Sequence, residues 1–204
     1  MRPEAMLKRL FDLFWATLGL ILLWPLFLLI ALGIKLEDGG PVFYRQERVG
    51  QGGQPFRIWK FRTMVVRADQ LGLPLTVGQD PRVTGVGHWL RRFKLDELPQ
   101  LLNVFVGEMS LVGPRPEVRK FVDLYSAEQR RVLDLRPGIT DLASVKYRRE
   151  SELLAASEDP ERTYVEQVMA DKIRINLDYA AQATVWSDFR VVLLTLGLGP
   201  SIRE

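Results

Sequence analysis

Leu13-Phe14-Trp15-Ala16-Thr17-Leu18-Gly19-Leu20-Ile21-Leu22-Leu23-Trp24-Pro25-Leu26-Phe27-Leu28-Leu29-Ile30-Ala31-Leu32-Gly33-Ile34 sets the architecture, because it holds no charged side chain from end to end. At about 1.5 Å per residue, a helix of this length reaches across a hydrocarbon core of about 30 Å. The run belongs in lipid. Pro25 lies at its middle, where it removes a backbone hydrogen bond and crowds the preceding turn, so a kink is expected there. Basic residues flank both ends: Arg2, Lys8 and Arg9 before it, Lys35, Arg45 and Arg48 after it. The positive-inside tendency therefore selects no orientation. Two topologies stay open, a kinked span and a re-entrant helix-break-helix with both ends on one side, and the doubly basic flanks favour the second. A cleavable signal peptide fits poorly, since the run is too long and no small-residue cleavage site follows.

On the N-terminal side, Arg2, Lys8 and Arg9 alternate with Met6, Leu7, Leu10 and Phe11, a basic amphipathic lead-in suited to a membrane surface. The whole chain of 204 residues has a formal net charge of +3 and a pI near 9.3. That length suggests one domain, or one with an appendage. The charge suits anionic partners of several kinds: phosphorylated substrates, an anionic membrane surface or nucleic acid. There is no cysteine, so disulfides and thiolate chemistry are excluded, and a single histidine, His88, leaves little for a zinc site. Catalysis would rest on carboxylates, arginine and lysine.

On the C-terminal side, Glu37-Asp38-Gly39-Gly40-Pro41 reads as a turn. Val42-Phe43-Tyr44 and Phe56-Arg57-Ile58-Trp59-Lys60-Phe61-Arg62, separated by glycines 50, 52 and 53, predict a β-hairpin. Its second strand interleaves aromatic and basic residues, a pattern that serves a half-buried strand or a phosphate- and base-binding face. Residues 65–88, rich in Gly and Pro, predict a long ordered loop.

Arg91-Arg92-Phe93-Lys94-Leu95-Asp96-Glu97-Leu98-Pro99-Gln100 places two adjacent carboxylates between a cationic cluster and a proline able to begin a helix. The helix should start near Asp96 or Glu97 and run through Leu101, Leu102, Val104 and Phe105. Its dipole, with Arg91, Arg92 and Lys94, should favour ionised carboxylates. An ionised carboxylate there can attack phosphorus or bind Mg²⁺; a solvated helix cap is the plainer alternative. Ser110-Leu111-Val112-Gly113-Pro114-Arg115-Pro116 forms a stiff corner, and Arg115 on it is an anion clamp or a structural ion pair. Residues 117–135 have helical spacing ended by Arg136-Pro137-Gly138, and residues 150–183 predict helix again, interrupted at Asp159-Pro160 with Asp159 as a cap. Val185 to Gly197 is apolar yet too short and charged to span; it docks in the interface or packs on the domain.

Taken in order, six segments resemble the bacterial sugar transferases, small monotopic phosphoglycosyl transferases that act on a polyprenyl phosphate carrier. They are Gly40-Pro41-Val42-Phe43, Trp59-Lys60-Phe61-Arg62-Thr63-Met64, Asp80-Pro81-Arg82-Val83-Thr84, Leu95 to Val104, Gly107 to Pro116, and Arg136-Pro137-Gly138-Ile139-Thr140. The resemblance covers nearly the whole chain. It implies an α+β, mostly helical fold: residues 1–36 as lead-in and re-entrant membrane hairpin broken near Pro25, and residues 37–204 as a compact cytoplasmic catalytic domain with a short β-hairpin and amphipathic interfacial helices. It implies a monotopic protein on the cytoplasmic face of the bacterial inner membrane.

The resemblance further implies that Asp96 is the nucleophile, attacking the β-phosphorus of a UDP-sugar. A covalent aspartyl-phosphosugar would form, and UMP would leave. Polyprenyl (undecaprenyl) phosphate would then take the phosphosugar, initiating glycan or exopolysaccharide assembly. Mg²⁺ would sit against Asp96, with Glu97 supporting the site, and Lys60, Arg91, Arg115, Pro114 and Pro116 would line the phosphate and nucleotide site. Nucleic acid is not an expected partner; a second copy of the chain remains open. The rival readings are a metal-dependent diphosphate hydrolase and a membrane-anchored basic adaptor with no activity.

Two departures from the family pattern stand out. Asp141 replaces a frequent glycine, followed by Ser144-Val145-Lys146-Tyr147-Arg148-Arg149-Glu150, which bears on sugar or nucleotide selectivity. Trp24 stands before Pro25, where serine is frequent and its hydroxyl could satisfy a freed backbone group.

Overall fold

The computed structural model describes residues 3–68 and 80–198. Its first element, α1 (Pro3–Asp38), is one helix that contains Pro25, so the expected change of direction does not interrupt the helix. Two opposite faces run along it. On one, Asp12, Ala16, Ile30 and Ile34 are buried against the rest of the chain. On the other, Leu7, Leu10, Phe14, Ile21, Leu28 and Leu32 are all more than half exposed. The helical period separates a face that packs on protein from one left for an apolar solvent.

The N-terminal turns of α1 differ from a free amphipathic lead-in. Lys8 donates to the Val112 carbonyl at 3.0 Å and to Asp188 at 2.5 Å, and Arg9 donates to the carbonyls of Val104 (2.6 Å) and Phe105 (2.9 Å). These cations are tied to protein groups instead of a headgroup layer. Arg2 lies outside the described residues.

The hairpin forms as expected, and longer. Strands β1 (Phe43–Val49) and β2 (Pro55–Phe61) pair antiparallel in the register Phe43↔Phe61 to Val49↔Pro55. Gly52 and Gly53 close it with φ of 67° and 75°, a conformation that side chains with a Cβ rarely adopt. A short helix α2 (Gly85–Arg92), capped by the Thr84 side chain on Gly87 N, begins inside the stretch expected to be loop. Residues 69–79 of that stretch lie outside the described residues. A tight 3₁₀ segment (Leu95–Gln100) then leads into α3 (Leu101–Val106).

Next, β3 (Ser110–Val112) pairs parallel with β4 (Gly138–Thr140), in the register Ser110↔Gly138 and Val112↔Thr140. The single helix expected over 117–135 is replaced by α4 (Arg119–Val122) and a 3₁₀ turn (Gln129–Asp134). Its cause is reciprocal capping: Gln129 Oε1 accepts from Ser126 N while Ser126 Oγ accepts from Gln129 N, which restarts the chain. The apolar residues still bury, with Phe121, Val122, Tyr125 and Val132 in one cluster with Val49, Met169 and Ile173.

The remainder is helical: α5 (Leu142–Lys146), α6 (Glu150–Ala155), α7 (Pro160–Thr163), a π-helical turn (Tyr164–Met169), α8 (Ala170–Ala180) and α9 (Val185–Thr195). Asp159 caps α7 through Arg162 N, as its position predicts. Helix α9 packs on the domain through Asp188, Val191 and Leu194, and leaves Trp186 82% exposed. The mostly helical class with two small sheets and one long apolar N-terminal helix therefore matches the expectation.

Candidate active site

Asp96 and Glu97 share the 3₁₀ segment, yet their surroundings differ. Lys94 enters it in the left-handed conformation (φ 54°), and the segment starts at Leu95, ahead of the position that Pro99 suggested. Strand β2 runs alongside and brings Lys60 to Glu97, with Nζ 2.9 Å from Oε1. From the corner after β3, Arg115 places Nη1 3.0 Å from Glu97 Oε2 and bonds Oε1 through Nη2. This is the two-pronged pairing that a guanidinium makes with a carboxylate. Among the described residues, no hydrogen bond or ion pair occupies the Asp96 carboxylate, although the residue is only 9% exposed.

The charges follow from this geometry. Burial and the neighbouring Glu97 push the Asp96 carboxyl above its ordinary value, and Lys60, Arg91 and Arg115 pull back only in part. Dipole and cations were expected to favour ionisation at both positions; desolvation overrules them at Asp96. At Glu97 burial acts upward too, but Arg115 and Lys60 outweigh it and hold that carboxyl well below the carboxylate range. Burial depresses Lys60, whereas Glu97 raises Arg115. Arg92 and Lys94 are exposed and take no part.

Arg91 approaches from α2, held by Nε to Thr63 Oγ1 at 2.9 Å. That helix lies so close to β2's exit that a Cβ on Gly87 would come within 2.1 Å of the Thr63 carbonyl oxygen. The Pro114-Arg115-Pro116 corner hangs on the parallel pair. Pro114 O accepts from Gly138 N (2.9 Å), and Thr140 O accepts from Gly113 N (3.0 Å). A Cβ on Gly138 would fall 2.1 Å from Gly113 N, so the corner closes only around glycine.

Three contributors escaped sequence reasoning. Asn103 is fully buried; its Oδ1 accepts from Trp59 N (2.9 Å), and its Nδ2 donates to Arg57 O (2.9 Å) and Glu108 (2.8 Å). It locks α3 to β2 and so fixes Lys60 against Glu97. A polar residue amid apolar helical positions was its only signal. Arg48 lies within electrostatic reach of Arg115, Glu97 and Lys60, and its Nε is buried without a partner among the described residues. Gln100 Nε2, one turn from Asp96, is a second buried donor without a partner among the described residues. Such orphaned donors suit an anionic ligand.

The expected metal can be tested against the donor set. Among the described residues, no group of three or more His or carboxylate side chains offers a cage of protein ligands alone. Mg²⁺ needs none, since it takes one or two carboxylates and completes its shell with substrate phosphates and water. The unpartnered Asp96 fits that role.

The match to known proteins extends beyond the site. The family model described as bacterial sugar transferase matches residues 3–199. A UDP-glucose:undecaprenyl-phosphate glucose-1-phosphate transferase of Caulobacter vibrioides is 43% identical over 192 residues, covering 93% of this chain and 68% of that protein. The Escherichia coli protein of the same description is 38% identical over 202 residues, covering 95% of this chain and 40% of that protein. An Aeromonas hydrophila UDP-N-acetylgalactosamine-undecaprenyl-phosphate N-acetylgalactosaminephosphotransferase is 39% identical over 197 residues, covering 94% of this chain and 43% of that protein. The chain thus spans less than half the length of two of these three relatives. By the extent of the family match and the shared identity, the chain belongs to the bacterial sugar transferase family.

Proposed function

We propose that this chain is a phosphoglycosyl transferase that moves a phosphosugar from a UDP-sugar to polyprenyl phosphate, as the first step of a membrane-bound glycan. The observation that carries the reading is Asp96: a buried carboxylate with no partner among the described residues, beside a Glu97 wholly engaged by Arg115 and Lys60. An Asp96 oxygen attacks the β-phosphorus of the donor, the bond from that phosphorus to the UMP oxygen breaks, and UMP leaves. A phosphate oxygen of the lipid then attacks the same phosphorus, the aspartyl–phosphorus bond breaks, and Asp96 is restored as a carboxylate. Splitting transfer this way lets a soluble and a lipid-bound substrate use one site in turn.

Arg91, Lys60 and Arg115 converge on the carboxylate pair and offset the repulsion between anions that must meet at phosphorus. Glu97 keeps Arg115 and Lys60 in place. A raised Asp96 carboxyl is more basic, and so a better nucleophile once ionised. Asp96 would also hold Mg²⁺, which, when bound, supplies charge neutralisation to the diphosphate.

The same reading places the protein on the cytoplasmic face of the inner membrane as a monotopic enzyme. Both ends of α1 bind the same domain: Lys8 and Asp12 reach Asp188 and Ser110, while Glu37 and Asp38 reach Gly85 N and Arg62. That arrangement supports a helix dipping into one leaflet, with its Leu-rich outer face in lipid, over one leaving the domain to cross the bilayer.

The test is the intact mass of the purified full chain with Mg²⁺ and a panel of UDP-sugars, lipid omitted. A phosphosugar-sized adduct with UMP release, absent in Asp96→Asn, is the expected result. Turnover that appears only when polyprenyl phosphate is added, with no adduct, would replace the covalent route by direct transfer.

A further inference from the structure

Glu37 and Asp38 close α1 as a second acidic pair, and both carboxylates turn toward the elements that serve the first. From the sequence, this stretch reads only as a turn. Glu37 Oε1 accepts from Gly85 N at 2.7 Å, and Val86 N lies 3.3 Å from each of its oxygens. Gly85 and Val86 are the first two residues of α2, whose amides have no partner inside the helix. Thr84 Oγ1 takes the third, Gly87 N, at 3.0 Å. The first turn of α2 is thus held from 48 residues upstream.

The other end of α2 carries Arg91. The helix has eight residues, about 12 Å at its usual rise, and it is seated without slack. Gly87 rides on the Thr63 carbonyl, which also accepts from Thr84 N at 3.0 Å. Leu90 is fully buried in one apolar cluster with Ile30 and Ile34 of α1 and Phe61 of β2. A close-packed body of this kind moves as a unit, so a shift of its first turn reaches its last. There Arg91 donates through Nε to Thr63 Oγ1 at 2.9 Å and acts electrostatically on the Asp96 carboxyl. Thr63 is fixed from α1 as well. Asp38 takes both terminal nitrogens of Arg62, the residue before Thr63, while Arg62 Nε donates to Pro41 O at 2.6 Å. Both partners of the Arg91–Thr63 bond therefore depend on the last turn of α1.

We propose that Glu37 is a positioning residue for Arg91, setting the guanidinium against Asp96 by holding the first turn of α2. What Arg91 does there rests on the transferase reading. Among the described residues, the hydrogen bonds of the Glu37 carboxylate go only to Gly85 and Val86. Thr84 already caps α2 in the ordinary way, from the adjacent position. A local cap decides whether a helix forms; a tether from a distant element decides where it lies. A small displacement of a group that must meet the reacting phosphate is enough to slow turnover strongly.

The test pairs a signal from Arg91 with a double-mutant cycle, on the detergent-solubilised full chain. The Arg91 Nε–H proton resonance, identified by its loss in Arg91→Gln, should shift or broaden in Glu37→Ala. It should stay near its wild-type position in Glu37→Gln, whose carboxamide oxygen can still accept from Gly85 N. Glu37→Ala should lower UMP release from a UDP-sugar by about tenfold. In an Arg91→Gln background the same change should cost less than about twofold, since the group that Glu37 positions is gone. A resonance unmoved by Glu37→Ala overturns the proposal, as does unchanged UMP release. A loss that persists in full in the Arg91→Gln background overturns it too, and would make Glu37 a general prop of the fold. Wild-type UMP release is scored separately. Its absence would sink the transferase reading alone, with the Arg91 resonance still deciding whether Glu37 holds the guanidinium; its presence beside an unmoved resonance would sink the positioning role alone.

Discussion

Arg115 holds Glu97 by both prongs of its guanidinium, one of them Nη1 to Oε2 at 3.0 Å, and thereby leaves the adjacent Asp96 as the uncommitted carboxylate of the pair. Two acidic residues one position apart in sequence are shifted in opposite directions. Glu97 is held ionised by two cations, and Asp96 is pushed up by burial and by Glu97 itself. Environments that separate a carboxylate pair in this way assign different tasks to its members.

The strain at Asp96 should be visible in stability. Its folded-state affinity for a proton is raised, so its contribution to folding is favourable when it is protonated and is lost as pH rises through the folded value. Asp96→Asn removes that penalty. In chelator, the variant should melt above the wild type at neutral pH, and the gap should close as pH falls toward the ordinary carboxylate range. The same variant should lose at least about a thousandfold in UMP release. A lower melting point for Asp96→Asn at neutral pH would mean that burial is not what governs this carboxylate.

Arg115→Lys keeps the charge and loses the fork. A lysine bonds Glu97 at one point, so Glu97 becomes free to turn and the proposed hold of Arg115 on phosphate would lose its geometry. Turnover should fall about a hundredfold, an effect near 2.7 kcal/mol, with little change in melting temperature because the side chain is partly exposed. Steady-state UMP release and calorimetry on the same preparation separate the two effects; equal activity would reduce Arg115 to a point charge.

Much of this site was legible because its chemistry is local in sequence. Asp96, Glu97 and the Gly113-Pro114-Arg115-Pro116 corner lie within one stretch, and Asp159 caps its helix through a neighbour three residues away. Illegible were the features set by partners far along the chain. Lys8 looked like a headgroup cation until Asp188, 180 residues on, took it. Asn103 read as one more residue of a helix, though its bonds reach back to β2. The ionisation of Asp96 depended on burial, which no local charge count conveys, and the 117–135 helix yielded to a Ser126–Gln129 cap hidden in an amphipathic pattern.

Asn103 is therefore a sensitive position for the fold. Asn103→Leu is close in volume, but it removes the partner of Trp59 N–H and of the Arg57 carbonyl at a fully buried position, while the exposed Glu108 carboxylate turns to water. The expected cost is about 3 kcal/mol or more, with reduced activity because β2 carries Lys60. Chemical unfolding should register the loss as a lower midpoint with an unchanged slope. Stability within about 0.5 kcal/mol of wild type would mean that these groups find water or other partners.

The attachment of α1 at both ends has a consequence for topology. The helix carries its lipid-suited face along its whole length, and its polar anchors Lys8, Asp12, Glu37 and Asp38 all bind the same domain. A helix crossing the bilayer would carry one set of anchors to the far side, break the Lys8–Asp188 ion pair so that Asp188 keeps only the Tyr179 hydroxyl, and separate Asp12 from Ser110. Breaking a buried charge pair of this kind costs several kcal/mol. Cysteines introduced at Glu4 and Lys35, both exposed, should react with an impermeant maleimide from the same side of sealed inverted vesicles. Labelling from opposite sides would establish a span and force Lys8 and Asp12 to abandon the contacts described here.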